Sequence, residues 1–353
     1  MLDTDKFSTD QSVAFGAGLR HRIHDYASAA GCKRVLILTT PHQSDLGLEL
    51  AEALGSLAAG IFCKAAMHTP TDVTEEALAH LKESGADAVL AAGGGSTIGL
   101  GKALDLRTGV LQIALPTTYA GSECTPILGQ TENGLKTTMS DPKLRPDLVL
   151  YDAELVATLP VPMTVTSALN AMAHAIEALY AKDRTNSTTS LALEGLAAFQ
   201  GALPDVITDP ANLAARESTQ KGAWACGTVL GQVGMALHHK LCHTLGGSLN
   251  LPHAETHAII LPHATAYNQP AADAELAPVA AMLGQEDAAV GLWTFAKSLG
   301  APMALKDLGV AESDLDRMAE LATKNPYWNP REITKDGIRA LLARAWEGAA
   351  PQA

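Results

Sequence analysis

The sequence predicts an α/β N-terminal domain built on a parallel sheet, residues 1–160, followed by an all-α C-terminal domain, residues 161–353. Two observations carry that prediction. Up to about residue 150 short apolar runs alternate with amphipathic helical stretches, which is the pattern of parallel βαβ units. After Leu159-Pro160-Val161-Pro162 the chain becomes a succession of long Ala/Leu-rich segments with few strand candidates. A length of 353 residues exceeds what one hydrophobic core serves, and 47% hydrophobic but only 4% aromatic residues suit close-packed helices.

The strand candidates in order are Arg34–Thr39, Gly60–Ala65, Ala88–Ala92, Leu111–Leu115 and Leu148–Tyr151. Between the second and third, Thr74–Ser84 places Ala77, Leu78 and Leu81 on one helical face, and Thr71 or Asp72 is placed to cap its start. Asn133-Gly134, inside the extended stretch Thr125–Met139, reads as a hairpin turn that needs positive φ, inserted at the sheet's edge. Further on, Ser167–Tyr180 reads as a helix.

A formal net charge of −13 without any Lys/Arg block argues against nucleic acid or an anionic membrane as partner. Five scattered cysteines with no CxxC pair fit reduced thiols. The start MLDTDKFSTD is neither basic nor apolar, so a soluble cytoplasmic protein is expected.

Two polar loops follow strand candidates. Gly93-Gly94-Gly95-Ser96-Thr97 leaves the third strand into a helix, so backbone N–H groups and a positive helix end meet with no side chain in the way. That suits a pyrophosphate, although it is neither GxGxxG nor a Walker A loop. Pro116-Thr117-Thr118-Tyr119-Ala120-Gly121-Ser122 leaves the fourth. In an open parallel sheet, ligands gather at the carboxyl ends of strands, so the two loops point to one crevice.

Twelve histidines include an informative group. Asn170 and His174 lie four apart on one helix face, His239 and His243 four apart on another, and His253 follows ten residues later. Imidazoles converging from helices and a loop are how bundles build metal or proton-transfer sites.

The segments GGGSTIGLGK, PTTYAGSE, DPKLRPDLVLYDAEL, NAMAHAIEAL and HHKLCHTLGGSLNLPHAETHAIILPH occur in this order over roughly residues 35 to 330. Together they resemble the iron-containing alcohol dehydrogenase superfamily, whose fold is shared with glycerol dehydrogenase and dehydroquinate synthase, and within it the branch that reduces maleylacetate. The resemblance implies a dehydroquinate synthase-like fold, with an NAD(P)-binding first domain, a helical substrate domain and an active site in the cleft between them. It places the pyrophosphate on Gly94, Gly95, Ser96 and Thr97, and the ribose and nicotinamide on Thr117, Thr118 and Ser122. Lys136 matches a cofactor-side lysine. The family's metal ligands, one Asp and three His, fall on Asn170, His174, His239 and His253, and His243 matches a histidine between nicotinamide and substrate. The implied reaction is NADH- or NADPH-dependent reduction of maleylacetate to 3-oxoadipate in aromatic catabolism, by a homodimer acting on a small dicarboxylate.

Two departures bear on that expectation. Asn170 stands for the ligating Asp and Gly99 for the Asp of the family's GGGSxxD motif, so two negative charges are missing. No metal is therefore expected; were an ion held, Asn170, His174, His239 and His253 would hold it. Positive charge for the substrate's carboxylates is expected from His238, His239, His243, His253, Lys240 or Arg331. Thr40, where an NAD-selecting member carries Asp, implies use of both cofactors. The other readings are a metal-dependent alcohol or polyol dehydrogenase of the same superfamily, which Asn170 disfavours, and a metallohydrolase or nucleotide-binding module, which the missing glutamate of HExxH disfavours.

Overall fold

A computed structural model describes residues 11–132 and 134–352. The chain divides into two compact units, Met1–Leu159 with Ala211–Lys221, and Pro160–Pro210 with Gly222–Ala353.

The first unit holds β1 (Ser12–Gly16), α1 (Ile23–Ala29), β2 (Val35–Leu38), α2 (Ser44–Leu54), β3 (Ala58–Phe62), α3 (Thr71–Ser84), β4 (Ala88–Gly93), α4 (Gly95–Thr108), β5 (Leu111–Pro116), β6 (Ile127–Glu132), β7 (Leu135–Ser140), β8 (Leu148–Asp152) and α5 (Ala153–Ala157). Six strands form a parallel sheet in the order β1-β8-β5-β4-β2-β3. Its central strands are continuous apolar runs because helices cover both faces. Side chains alternate between those faces. Val35, Ile37, Leu90 and Ile113 join Ile23 of α1 and Leu50 of α2, whereas Leu36, Leu38 and Val89 join Leu78 and Leu81 of α3 and Leu100 of α4.

Three expectations need correction. β3 starts two residues earlier than the apolar run suggested, at Ala58. α3 begins at Thr71 behind Pro70 and has no side-chain cap. β6 and β7 pair antiparallel, with Gly134 at φ 78°, but as a separate two-stranded sheet and not as an insertion on the edge of the main one; Asn133 lies outside the described residues. The edge position is filled by β1, which pairs with β8 from Ser12↔Leu148 to Gly16↔Asp152.

The second unit is helical: α6 (Val161–Leu179), α7 (Asn186–Thr208), the later part of α8 (Leu213–Leu230), α9 (Leu237–Leu249), α10 (His253–Met282), α11 (Ala288–Ser298), α12 (Leu315–Thr323) and α13 (Lys335–Glu347). From Thr164 to Leu179 every residue of α6 is buried, since α7 and α10 both pack on it. Leu237, Leu241 and Leu245 of α9 meet Ile260 and Ala264 of α10, Met318 of α12 and Leu342 of α13 in one core. Among the described residues no helix is long and apolar enough to cross a membrane.

Candidate active site

In the first unit the glycines bring two loops together. β4 ends at Gly93 and α4 starts at Gly95, with Gly94 as an N-cap that offers no side chain to the helix's first amides. Thr117 N–H donates to Gly93 O at 3.1 Å, and Thr118 packs so closely on Gly94 that an added Cβ would lie 3.1 Å from its Oγ1. At Gly93 a Cβ would meet Thr97 Oγ1 at 2.4 Å. Gly95 differs, since its nearest neighbour would be Ser122 Cβ at 3.9 Å. The protein's own packing would thus admit a Cβ at Gly95 at ordinary contact distance, and its absence leaves the helix N-terminus bare for an incoming phosphate. Gln43 ties the neighbouring strand ends together: its amide donates to Thr117 Oγ1 at 3.1 Å, and its Oε1 accepts from Thr40 Oγ1 at 3.1 Å.

Lys102, at the end of GGGSTIGLGK, does not face a phosphate. It is fully buried, and its Nζ donates to Ser122 O (2.6 Å), Thr125 O (2.8 Å), Thr125 Oγ1 (3.1 Å) and Ile127 O (2.9 Å), fixing the second loop to α4. Burial pushes its pKa down to about 7, against the pull of the nearby Glu123 carboxylate. Tyr119 is also fully buried, its OH 2.8 Å from Thr219 Oγ1, which removes it as a proton donor to a substrate. The side chain of Lys136, on β7, lies outside the described residues.

In the second unit the histidines gather around a residue that the sequence did not single out. Glu177 is fully buried on α6, seven residues after Asn170 and three after His174. Its carboxylate accepts from Ala236 N–H (2.9 Å), His238 N–H (2.7 Å) and His239 Nδ1 (2.7 Å). Because Ala236, the N-cap of α9, has no side-chain oxygen, Glu177 satisfies amides at that helix start from another helix. It also fixes the His239 tautomer and leaves Nε2 facing away. Nε2 of His239, Nδ1 of His174 and Oδ1 of Asn170 are buried without a partner among the described residues, and the two rings lie 5.1 Å apart. Buried polar atoms are rarely left so unless a ligand meets them.

His243 and His253 are exposed. His243 Nδ1 lies 3.1 Å from Tyr327 OH, with Lys240 Nζ over the same Tyr327 ring. The His253 ring packs 4.2 Å from that of His257. Behind them, His238 Nε2 lies 3.0 Å from His257 Nδ1 and 3.7 Å from Cys242 Sγ. Burial first, and neighbouring imidazoles second, hold His174, His238 and His257 well below the usual histidine range, so all three are neutral at pH 7. Among the described residues the Arg331 side chain meets Tyr267 and not the cluster: it stacks with its guanidinium 4.5 Å from the ring centre, and Nη1 donates to Tyr267 O.

Two family models cover nearly the whole chain: iron-containing alcohol dehydrogenase over residues 10–153, and the C-terminal part of the Fe-containing alcohol dehydrogenase family over residues 164–346. The chain belongs to the iron-containing alcohol dehydrogenase family. Within that family it is 57% identical to a maleylacetate reductase of a Rhizobium species, over 96% of this chain and 97% of that protein. It is 48% identical to the Burkholderia cepacia maleylacetate reductase over 96% of each. The crystal structure of maleylacetate reductase from Agrobacterium tumefaciens superposes with a TM-score of 0.95 at 57% identity, covering 98% of both chains.

The family's metal position keeps the unpartnered atoms of Asn170, His174 and His239 but lacks the aspartate that the resemblance implied. Asn170 brings a neutral amide, the nearby Glu177 carboxylate is engaged by His239 and two backbone amides, and His253 packs against His257. Among the described residues, the only His, Cys, Asp or Glu side chains that bring three ligand atoms within 4.8 Å are His238, Cys242 and His257, none of them a family ligand position. Burial and Glu177 push the Cys242 thiol well above its usual range, so it is not a thiolate. A hard divalent cation wants oxygen anions, which this set lacks.

Because a Cβ at Gly95 makes only ordinary contacts, Gly95→Val should be tolerable to the free protein but not to a phosphate. Dinucleotide affinity should fall at least a hundredfold, about 2.7 kcal/mol, with an unchanged unfolding midpoint; equal affinity by calorimetry would contradict the cradle. The neutral histidines make a second expectation. Their folded pKa values lie below the unfolded value near 6.5, so the unfolded chain takes up protons first as pH falls. Stability is full above about 6.5 and is lost below it by about 1.4 kcal/mol per pH unit for each histidine kept neutral. Urea titrations at pH 7.5, 6.5 and 5.5 measure this, and a flat profile would mean that the folded cluster is protonated.

Proposed function

We propose that this protein catalyses the reduction of maleylacetate to 3-oxoadipate with NADH or NADPH. The carrying observation is a polar site without a directly available carboxylate, in a chain 57% identical to a maleylacetate reductase over 96% of its length. A dianionic substrate is repelled by an aspartate at position 170, whereas a neutral asparagine removes that repulsion.

When bound, the reduced nicotinamide supplies a hydride to the carbon–carbon double bond, which is already electron-poor through conjugation with a ketone. The chain's residues do the rest. Gly94, Gly95, Ser96 and Thr97 at the α4 N-terminus hold the pyrophosphate, while Thr117, Thr118 and Ser122 hold ribose and nicotinamide on a loop kept in place by Lys102. His174 and His239 turn their unpartnered ring nitrogens to the substrate, with the neutral Asn170 beside them. Hydride addition at the carbon beyond the ketone's α position leaves an enolate, and a proton must reach the α carbon. His243, exposed and braced by Tyr327, is the donor in this reading. Conjugation delocalises the negative charge, so the step needs no Lewis acid at the carbonyl.

Purified protein mixed with maleylacetate should oxidise NADH and NADPH, followed by absorbance, with catalytic efficiencies within about tenfold of each other because Thr40 carries no charge to repel a 2′-phosphate. Turnover should survive exhaustive chelation. Loss on chelation with recovery on adding iron or zinc would instead support a metal-dependent alcohol dehydrogenase. His243→Ala should lower turnover by about 10²–10⁴-fold with far less change in cofactor affinity; near-normal turnover would exclude His243 as the donor.

A further inference from the structure

The second unit contains a cavity that the reaction does not use. It measures about 170 Å³ and is lined by His263 and Tyr267 of α10, by Ala340, Leu341 and Arg344 of α13, and by Arg331. His263 and Tyr267 are four apart on one helix, and Leu341 and Arg344 three apart on the other, so each helix turns one face to it. Ten residues of α10 separate His263 from His253, a rise of about 15 Å, which sets the cavity apart from the exposed histidines.

Its charge is unusual for a chain of net charge −13. Among the described residues neither arginine has a carboxylate within ion-pair distance. Arg331 Nη1 donates to Tyr267 O at 2.7 Å, and Arg344 donates to Ala350 O, which leaves each guanidinium with further donors of its five. His263, only 2% exposed, has an Nε2 with no partner. Burial, and then the Arg344 charge, push its pKa down to about 4. Among the described residues, two guanidinium groups without a carboxylate partner and a buried imidazole nitrogen without a partner face one space, a lining that suits an anion. The walls are nevertheless apolar: the Tyr267 ring under Arg331, Leu341 and Ala340. A cavity of about 150 Å³ accepts benzene, so this one has room for an apolar body of that size beside a carboxylate head gripped by a planar fork.

We propose that this cavity binds a small organic carboxylate, at a site separate from the histidine cluster. Sodium benzoate is a suitable probe, and inorganic phosphate is the control for an anion without an apolar body. Phenylglyoxal modification of Arg331 and Arg344, read by peptide mass spectrometry, reports on the site itself. Benzoate should slow modification at both arginines at least fivefold, and phosphate at equal concentration should not. Ala340→Trp, a change at an exposed helix position that fills the space without touching charge, should abolish the protection while the unfolding midpoint stays in place. Modification rates indifferent to benzoate, or protection that persists in a folded Ala340→Trp protein, would overturn the proposal. Equal protection by phosphate would also overturn it, by making this a general anion site. Arg344→Gln should weaken benzoate binding at least tenfold by calorimetry, and unchanged affinity would count against it.

Discussion

The histidine cluster depends on one buried carboxylate. Glu177 reaches from α6 to the start of α9, where two backbone amides and one imidazole nitrogen converge on it. A carboxylate this deeply buried is costly unless both oxygens are engaged, and three short charge-assisted bonds, two to Oε2 and one to Oε1, supply that engagement. The same bonds decide where α9 begins, and hence where His239 and His243 stand. Removing the carboxylate would leave helix-start amides without acceptors and His239 free to choose its tautomer.

A complementary arrangement of opposite sign organises the first unit. Lys102 places an ammonium among three carbonyls and one hydroxyl, so a loop with little regular structure is held to the helix that follows the glycines. In each unit, then, an ionisable group far from solvent acts on backbone and not on ligand. The residues proposed to meet ligand differ: His239 keeps an unsatisfied Nε2, and Gly95 has no side chain. Holding the loops by buried charge lets the binding surface itself remain sparse in side chains.

Local pattern made much of this legible. β2, β4, β5 and β8 stood out as apolar runs, because strands covered on both faces need no polar alternation, and the triple glycine marked a helix start approached by another loop. β1 was not visible, since Ser12–Gly16 is short and its pairing with β8 spans more than 130 residues. The hairpin was readable, but its independence from the main sheet was not, because pairing partners are a tertiary property. Glu177 was overlooked for a related reason: a lone acid in an alanine-rich helix looks solvated, although its spacing from Asn170 and His174 put it on their side. Arg331 looked like a partner for substrate by charge alone, and its stacking on Tyr267 follows from packing that no local pattern records.

The glycine at position 99 shows how packing can preserve a chemical choice. A Cβ there would lie 2.6 Å from Thr69 Oγ1, and Thr69 sits in a left-handed turn at φ 46° whose carbonyl accepts from Thr131 N–H. A side chain at 99 would therefore force the Thr69 hydroxyl to rotate away, in a turn that is itself bonded to β6. The position accepts a carboxylate only if its neighbour rearranges, so charge and packing at 99 are coupled. A position 99 without a carboxylate and the close seat of Thr69 on α4 go together.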